Sequence, residues 1–325
     1  MGDRADGRPP RRRRRWLRWA AGAVAGVLAA ATAASFGYNL ATDGPAPRPA
    51  GLHLVSGGGF VTRYRTWGRA GSPVVLVPGA FETADTFAAL SAVLGREHRV
   101  FALDLTGTGY SRPSPPFSAG HLAAQVLAFL AAERLAGPRT VLVGHSSGAA
   151  VAGLAAVRAG TRLGGVVFLD GDATPLSVPP LAGWLLINPF RTTILRLALN
   201  SSGLIRRIYR AQCGPVCAAL SPAGVRAWRE PLQQPGFSAA IGYTLRHGIP
   251  SLTSPQFAQL RAAPVAKRVI VGADDPQLSV PAAARTAGRI GAPAPVVVPG
   301  RHLTMISSPR AVAAAIEAVT RALPR

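Results

Sequence analysis

The stretch VLVGHSSGAA, from Val141 to Ala150, carries an apolar run into Gly144-His145-Ser146-Ser147-Gly148 and then into small residues suited to start a helix. Glycines are needed on both flanks because so tight a turn leaves no room for side chains there, and the serine between them is held in a strained backbone that projects its hydroxyl. The G-x-S-x-G spacing picks Ser146, since Ser147 has no glycine two residues to either side. Ser147 instead offers its backbone N–H at the start of the following helix, where the helix dipole favours a developing oxyanion. His145 adjoins the serine, but on such a turn its side chain points away, which makes it a poor base. Taken alone the pattern also fits an ordinary turn. Its place between a strand and a helix favours a nucleophile.

Outward from this stretch, short apolar runs recur at Val74 to Val77, Val100 to Leu105, Val166 to Leu169, Val269 to Val271 and Val296 to Val298. Between them lie segments with apolar residues at helical spacing, Thr86 to Leu94, Leu122 to Leu135, Ala149 to Arg158 and Ala311 to Leu323. Phe60 to Gly68 alternates in the manner of an early antiparallel strand. Doubly buried strands alternating with helices describe an α/β fold with a mostly parallel, doubly wound sheet. From about 173 to 264 the rhythm breaks into a Pro-, Gly- and Arg-rich interval with helical pieces, read as a cap or lid inserted over the carboxyl edge of the sheet. Its Trp184, Leu185, Leu186, Ile187, Phe190 and Trp228 provide either an apolar pocket or ordinary packing.

In an open parallel sheet, reactive groups gather at the carboxyl ends of the strands. A serine hydroxyl needs a base to take its proton and a third group to orient that base. His302 follows the last strand, in VVVPGRHLTMISSP, on a loop at the correct edge. His53, His98, His121 and His247 are read as surface or hydrogen-bonded side chains. For the orienting acid, RVIVGADDP ends the penultimate strand at Asp274 and Asp275; Asp275 is favoured, with Asp274 as the alternative and Asp170 or Asp172 as a further location. In VVLVPGAFETADTF, Gly79 lets the chain turn so that the N–H of Ala80 or Phe81 faces the site, whereas Pro78 has no N–H to give. The paired glycines of LDLTGTGYS, from Leu103 to Ser111, shape either the pocket or only a turn.

These motifs together resemble the α/β-hydrolase superfamily, and more narrowly its actinobacterial-type members with an N-terminal hydrophobic segment. VPGAFETADTF stands where that family usually has His-Gly, DLTGTGYS matches its D-x-x-G-x-G-x-S loop, and GHSSG, GADDP and GRHLTMISSP match the elbow, acid and histidine loops. The resemblance spans about 55 to 323 and keeps the order Ser, Asp, His. It implies Ser146 as nucleophile, Asp275 as acid, His302 as base, and the N–H groups of Ala80 and Ser147 as the oxyanion hole. Pro78 departs from the family by replacing the usual histidine, which leaves open what supports the oxyanion loop. A serine at the elbow argues against the epoxide hydrolases and dehalogenases, whose nucleophile is aspartate.

The amino terminus places RRRRRWLRW before Trp19 to Leu40, a segment with no charged side chain. That length suffices to cross a bilayer, which takes about 20 residues, and arginines ahead of it predict an amino end inside and a body outside. A cleaved signal ending near Ala31-Thr32-Ala33, or a twin-arginine export signal around Arg13-Arg14, leads outward as well. The expected division is a basic tail at 1–18, a transmembrane or signal segment at 19–40, a Pro-rich linker at 41–51 and a hydrolase-like domain at 52–325. The catalytic domain is thus expected to be membrane-anchored and extracytoplasmic, or secreted.

A formal net charge of +22 comes from a single lysine, Lys267, and an excess of arginine over only 14 acidic residues. With abundant Ala, Gly and Pro this reflects base composition, and no nucleic-acid motif accompanies it, so no nucleic-acid partner is expected. Cys213 and Cys217 are spaced too widely for a C-x-x-C site and lack a second ligand pair; they form either a small disulfide loop or two buried thiols. No metal and no organic cofactor is expected. The expected activity is a carboxylesterase- or lipase-like serine hydrolase acting through an acyl-enzyme on a small, apolar acyl compound. Acyl transfer, perhydrolysis or C–C bond hydrolysis on the same triad, or a non-catalytic binding protein on the same fold, are the alternatives.

Overall fold

A computed structural model describes residues 11–44, 46–175 and 187–324. Its strands are β1 (His53–Gly57), β2 (Phe60–Trp67), β3 (Pro73–Val77), β4 (Arg99–Leu103), β5 (Gly137–His145), β6 (Leu163–Leu169), β7 (Ala266–Gly272) and β8 (Val296–Val298). They form one sheet in the order β1-β2-β4-β3-β5-β6-β7-β8. The pairs β1/β2 and β2/β4 are antiparallel and every later pair is parallel. β3 and β6 are buried at every residue, as parallel strands covered on both faces must be. Alternate side chains enter opposite cores: Val75 and Val77 with Leu142 and Val269 on one face, Val74 and Leu76 with Val143 and Ile270 on the other.

The helices follow as α1 (Arg11–Ala41), α2 (Ala88–Leu94), α3 (Ala119–Ala132), α4 (Gly148–Ala159), α5 (Phe190–Asn200), α6 (Ser202–Cys213), α7 (Pro222–Arg229), α8 (Phe237–His247), α9 (Ser254–Ala262), α10 (Val280–Ile290), α11 (Thr304–Ser307) and α12 (Pro309–Arg321). α3, α4, α9 and α10 supply the first core, and α2, α11 and α12 the second. Helix α4 is mostly Ala and Gly and is buried from Gly148 to Ala156. Those small side chains let the helix lie close against β5 and β6, so enlarging one there would force the two apart.

Helices α5 to α8 lie over the carboxyl edge of the sheet, with Phe237 against Phe81 and the Leu303 N–H donating to the Gln212 carbonyl. The sequence reading carries this insertion to about 264. In the structure α9 instead packs on α4 and α10, with Phe257 and Leu260 buried, and so joins the helix layer below the cap. The edge strand β1 has no apolar run to announce it: its burial alternates weakly, and only pairing with β2 across Gly58-Gly59 defines it. Trp184, Leu185 and Leu186 lie outside the described residues.

Helix α1 touches the body only near its carboxyl end. Asn39 donates to the Pro189 carbonyl at 2.9 Å, Thr193 donates to Asn39 at 3.1 Å, and Arg196 pairs with Asp43 at 2.9 Å. From Arg15 to Ala31 the helix is exposed almost throughout.

Candidate active site

β5 delivers the chain into the elbow, and α4 takes it away two residues later. Ser146 sits at φ 50°, in the left-handed region that costs a non-glycine residue roughly 1–3 kcal/mol. The neighbours must permit this: a Cβ on Gly144 would run into the Gly148 backbone, and one on Gly148 into the carbonyls of Val77 and Pro78. The Ser146 N–H donates to the Leu169 carbonyl at 2.9 Å, tying the elbow to the end of β6.

The Ser146 hydroxyl lies 3.0 Å from His302 Nε2, and His302 Nδ1 lies 2.9 Å from Asp275 Oδ2. His302 and Asp275 are both buried. Asp275 Oδ1 also accepts the N–H groups of Gln277 and Leu278, at 2.7 and 3.1 Å, which fixes the carboxylate before the imidazole meets it. Asp274, the alternative acid, is exposed, and its N–H donates to the Gly300 carbonyl. Asp170 is buried elsewhere, accepting the Gly272 N–H at 2.9 Å and bonds from Thr304, so it braces the acid and histidine loops. Asp172 holds Thr174.

Beneath these groups lies a second buried cluster that the sequence reading missed. His145 Nδ1 is 2.8 Å from Glu82 Oε2, and its Nε2 is 2.7 Å from the His302 carbonyl. With Glu82 ionised both partners accept, which makes both ring nitrogens donors and favours the cationic imidazole. Burial pulls its pKa down, but the Glu82 and Asp170 carboxylates overcome this and raise it to about 9. Burial likewise favours the neutral acid at Glu82, and the His145 charge outweighs it, holding Glu82 below the usual carboxylate range. The same Glu82 oxygen accepts the Gly79 N–H at 2.9 Å. Glu82 thus holds up the loop from Pro78 to Phe81, where Pro78 has no N–H to give. The available signal was slight: one acid three residues past Gly79 in a chain with only 14 acids.

With the Gly79 N–H occupied, the next N–H along is that of Ala80. Among the described residues, neither it nor the Ser147 N–H donates to another group. Phe81 follows at φ 64° with its ring half exposed against Phe237.

The alpha/beta hydrolase family profile matches residues 74–315. The chain belongs to the alpha/beta hydrolase family. Over 131 residues this hydrolase-family chain is 33% identical to an N-formylmaleamate deformylase of Pseudomonas putida, a match spanning 40% of the chain and 45% of that relative. Among solved structures it superposes on a thermophilic esterase from Thermogutta terrifontis with a TM-score of 0.66, at 22% identity over 84% of this chain and 98% of that one. A membrane phospholipase A described as a bacterial virulence factor matches with a TM-score of 0.64 at 21% identity, covering 94% of this chain and 96% of that one.

In this family member the DLTGTGYS loop is a structural turn around Asp104. Its buried carboxylate accepts the N–H groups of Tyr110 and Ala84 and pairs with Arg63, and a Cβ on Gly109 would overlap it. Cys213 and Cys217 form a disulfide with Cα atoms 6.0 Å apart, at the end of α6 beside the histidine loop. Of the four histidines read as surface or hydrogen-bonded, His98 is neither: it is buried, and among the described residues neither ring nitrogen has a hydrogen-bond partner. Its ring faces Glu97 and Glu317, with one potential ligand atom of each within 4.8 Å of the others. Glu317 already faces Arg321 at 3.6 Å, and the group lies at the amino ends of the strands, away from Ser146.

Proposed function

We propose that this chain is a serine hydrolase that opens an ester or related acyl compound through a covalent acyl-enzyme. The observation that carries the reading is the unbroken relay from Ser146 through His302 to Asp275, at 3.0 and 2.9 Å. His302 Nε2 takes the hydroxyl proton as Ser146 Oγ adds to the acyl carbon; Asp275 orients the imidazole and stabilises the imidazolium. The oxyanion that forms is met by the N–H groups of Ala80 and Ser147. His302 then protonates the leaving group, and water repeats the sequence to release the acid and regenerate Ser146. Ser146→Ala is expected to abolish p-nitrophenyl ester turnover and labelling by a fluorophosphonate; full activity in that variant would end this reading.

The similarity to a deformylase favours a second substrate class on the same residues. An N-formyl amide is an acyl compound whose carbonyl the same relay attacks, and a panel pairing graded esters with N-formyl amides separates the two by relative kcat/KM.

We also propose that α1 anchors the enzyme in a membrane, with the 1–18 tail inside, the 41–51 linker outside and the hydrolase domain from about 52 onward extracytoplasmic. The support is a span from Arg15 to Ala41 of mean hydropathy 1.6, 6% buried over its most apolar window, behind a block of arginines. The phospholipase structure that matches 94% of this chain is itself described as a membrane protein. Immunoblotting of membrane, secreted and cytosolic fractions with a carboxyl-terminal tag tests the assignment. A full-length cytosolic product would contradict it.

A further inference from the structure

Helix α5 has three distinct sides. Thr192, Leu195 and Leu199 line a cleft against Leu232 and Phe237 of the cap, and Pro189, Thr193 and Arg196 hold the end of α1. Ile194 and Leu197 are 48% and 54% exposed and take part in neither contact. The next helix repeats the pattern: in α6, Tyr209 and Cys213 pack inward, while Leu204 and Ile208 are 39% and 53% exposed one turn apart. Single exposed apolar side chains are ordinary, but four at helical spacing on two successive helices form a patch of the kind that marks an interaction surface. Arg206, Arg207 and Arg210 stand exposed beside it on α6. From Ile187 to His247 the chain has eight arginines against one acid, Glu230.

We propose that the exposed face of α5 and α6 rests on the outer surface of an anionic lipid bilayer, so that acyl substrate reaches Ser146 from the membrane. The proposal rests on α1 being a membrane anchor. Three observations choose lipid as the occupant. The last turns of α1 are hydrogen-bonded to α5, which holds this face close to the point where the chain would leave the bilayer. Apolar side chains flanked by arginines suit a helix lying in the interface, its apolar stripe among acyl chains and its guanidinium groups at anionic headgroups. The same α6 that presents Ile208 outward presents Tyr209 inward, to a cavity of about 210 Å³ lined also by Phe81, Trp228 and Ile306. Phe81 lies one residue past Ala80, so the inner side of α6 meets the loop next to the site while its outer side meets the lipid.

The test uses the full chain, one copy per nanodisc of phosphatidylcholine and phosphatidylglycerol, with an environment-sensitive fluorophore on Leu197→Cys, Ile208→Cys, Val27→Cys or Arg285→Cys and doxyl-labelled lipid as quencher. Quenching at 197, 208 and 27 but not at 285 is the expected result. Quenching at 27 alone would overturn the docking face and leave the anchor standing; no quenching at any position would overturn both. A label at 208 shielded only when two copies share a disc would assign the face to a second copy and likewise overturn the proposal. In the same discs, Leu197→Glu with Ile208→Glu is expected to lower hydrolysis of a bilayer-embedded ester by about tenfold or more, while turnover of a soluble short-chain ester stays within about twofold. Equal loss on both substrates would count against membrane delivery.

Discussion

His145 Nδ1 lies 2.8 Å from the Glu82 carboxylate, so the residue before Ser146 is bound to the loop that would hold the oxyanion. Its other nitrogen, on the His302 carbonyl, binds the loop carrying the base. Removing the charge of Glu82 leaves a buried imidazole facing a neutral amide and frees the Gly79 N–H from its carboxylate. Glu82→Gln is expected to cost roughly 2–4 kcal/mol of stability in denaturant titration. It should also lower kcat about ten- to hundredfold with little change in KM, because the oxyanion loop loses its support.

The same pair sets a pH dependence. The His145 pKa is raised from 6.5 to about 9, so its contribution to stability is complete below pH 6.5, is lost as the pH climbs, and is gone above about 9. Melting temperature is expected to fall across that interval. In Glu82→Gln the decline should shift to lower pH and shrink; an unchanged profile would detach it from this pair.

Asp274 and Asp275 are adjacent but differently placed, since only Asp275 reaches His302. Asp275→Asn is expected to reduce kcat by about 10⁴-fold, because the amide no longer enforces the required imidazole tautomer. Asp274→Asn, at an exposed carboxylate, should remain within about twofold of the parent, both read from initial rates on one ester.

Gly148 meets the carbonyls of Val77 and Pro78, and no rotamer change can relieve a clash with backbone. Gly148→Ala is expected to destabilise by about 3 kcal/mol or more or to prevent soluble expression. Ala150→Ser, in the same buried helix, serves as the milder comparison in the same melting assay.

The disulfide closes a very short loop, for which chain entropy gives only about 2 kcal/mol. Cys213→Ser with Cys217→Ser should therefore lower the melting temperature by a few degrees, matching the effect of reductant on the parent. A larger loss of activity than of stability would show that the end of α6 positions the histidine loop through the Leu303 to Gln212 bond.

Much of this arrangement could be read from residues alone because it follows from strand ends. Val141 to Val143, Val269 to Val271 and Val296 to Val298 are apolar on both faces, and the polar residues within four positions beyond them include Ser146, Asp275 and His302. Glu82 could not be read this way: its partner His145 is 63 residues away, and nothing in either local pattern announces the contact. The edge strand β1 escaped because it buries too little to need an apolar run. The Pro-, Gly- and Arg-rich composition that suggests a cap runs on to about 264 and includes α9, yet Phe257 and Leu260 suffice to seat that helix on α4.

The Glu82, His145 and His302 linkage has a consequence for how such a protein can change. Ser146 and His302 are braced from beneath, by the buried Glu82 and His145. Among the described residues the cap meets them from above, through bonds from the end of α6 such as Leu303 to Gln212. Its helices are therefore expected to tolerate rewriting or lengthening while the spacing of Ser146, His302 and Asp275 stays as it is.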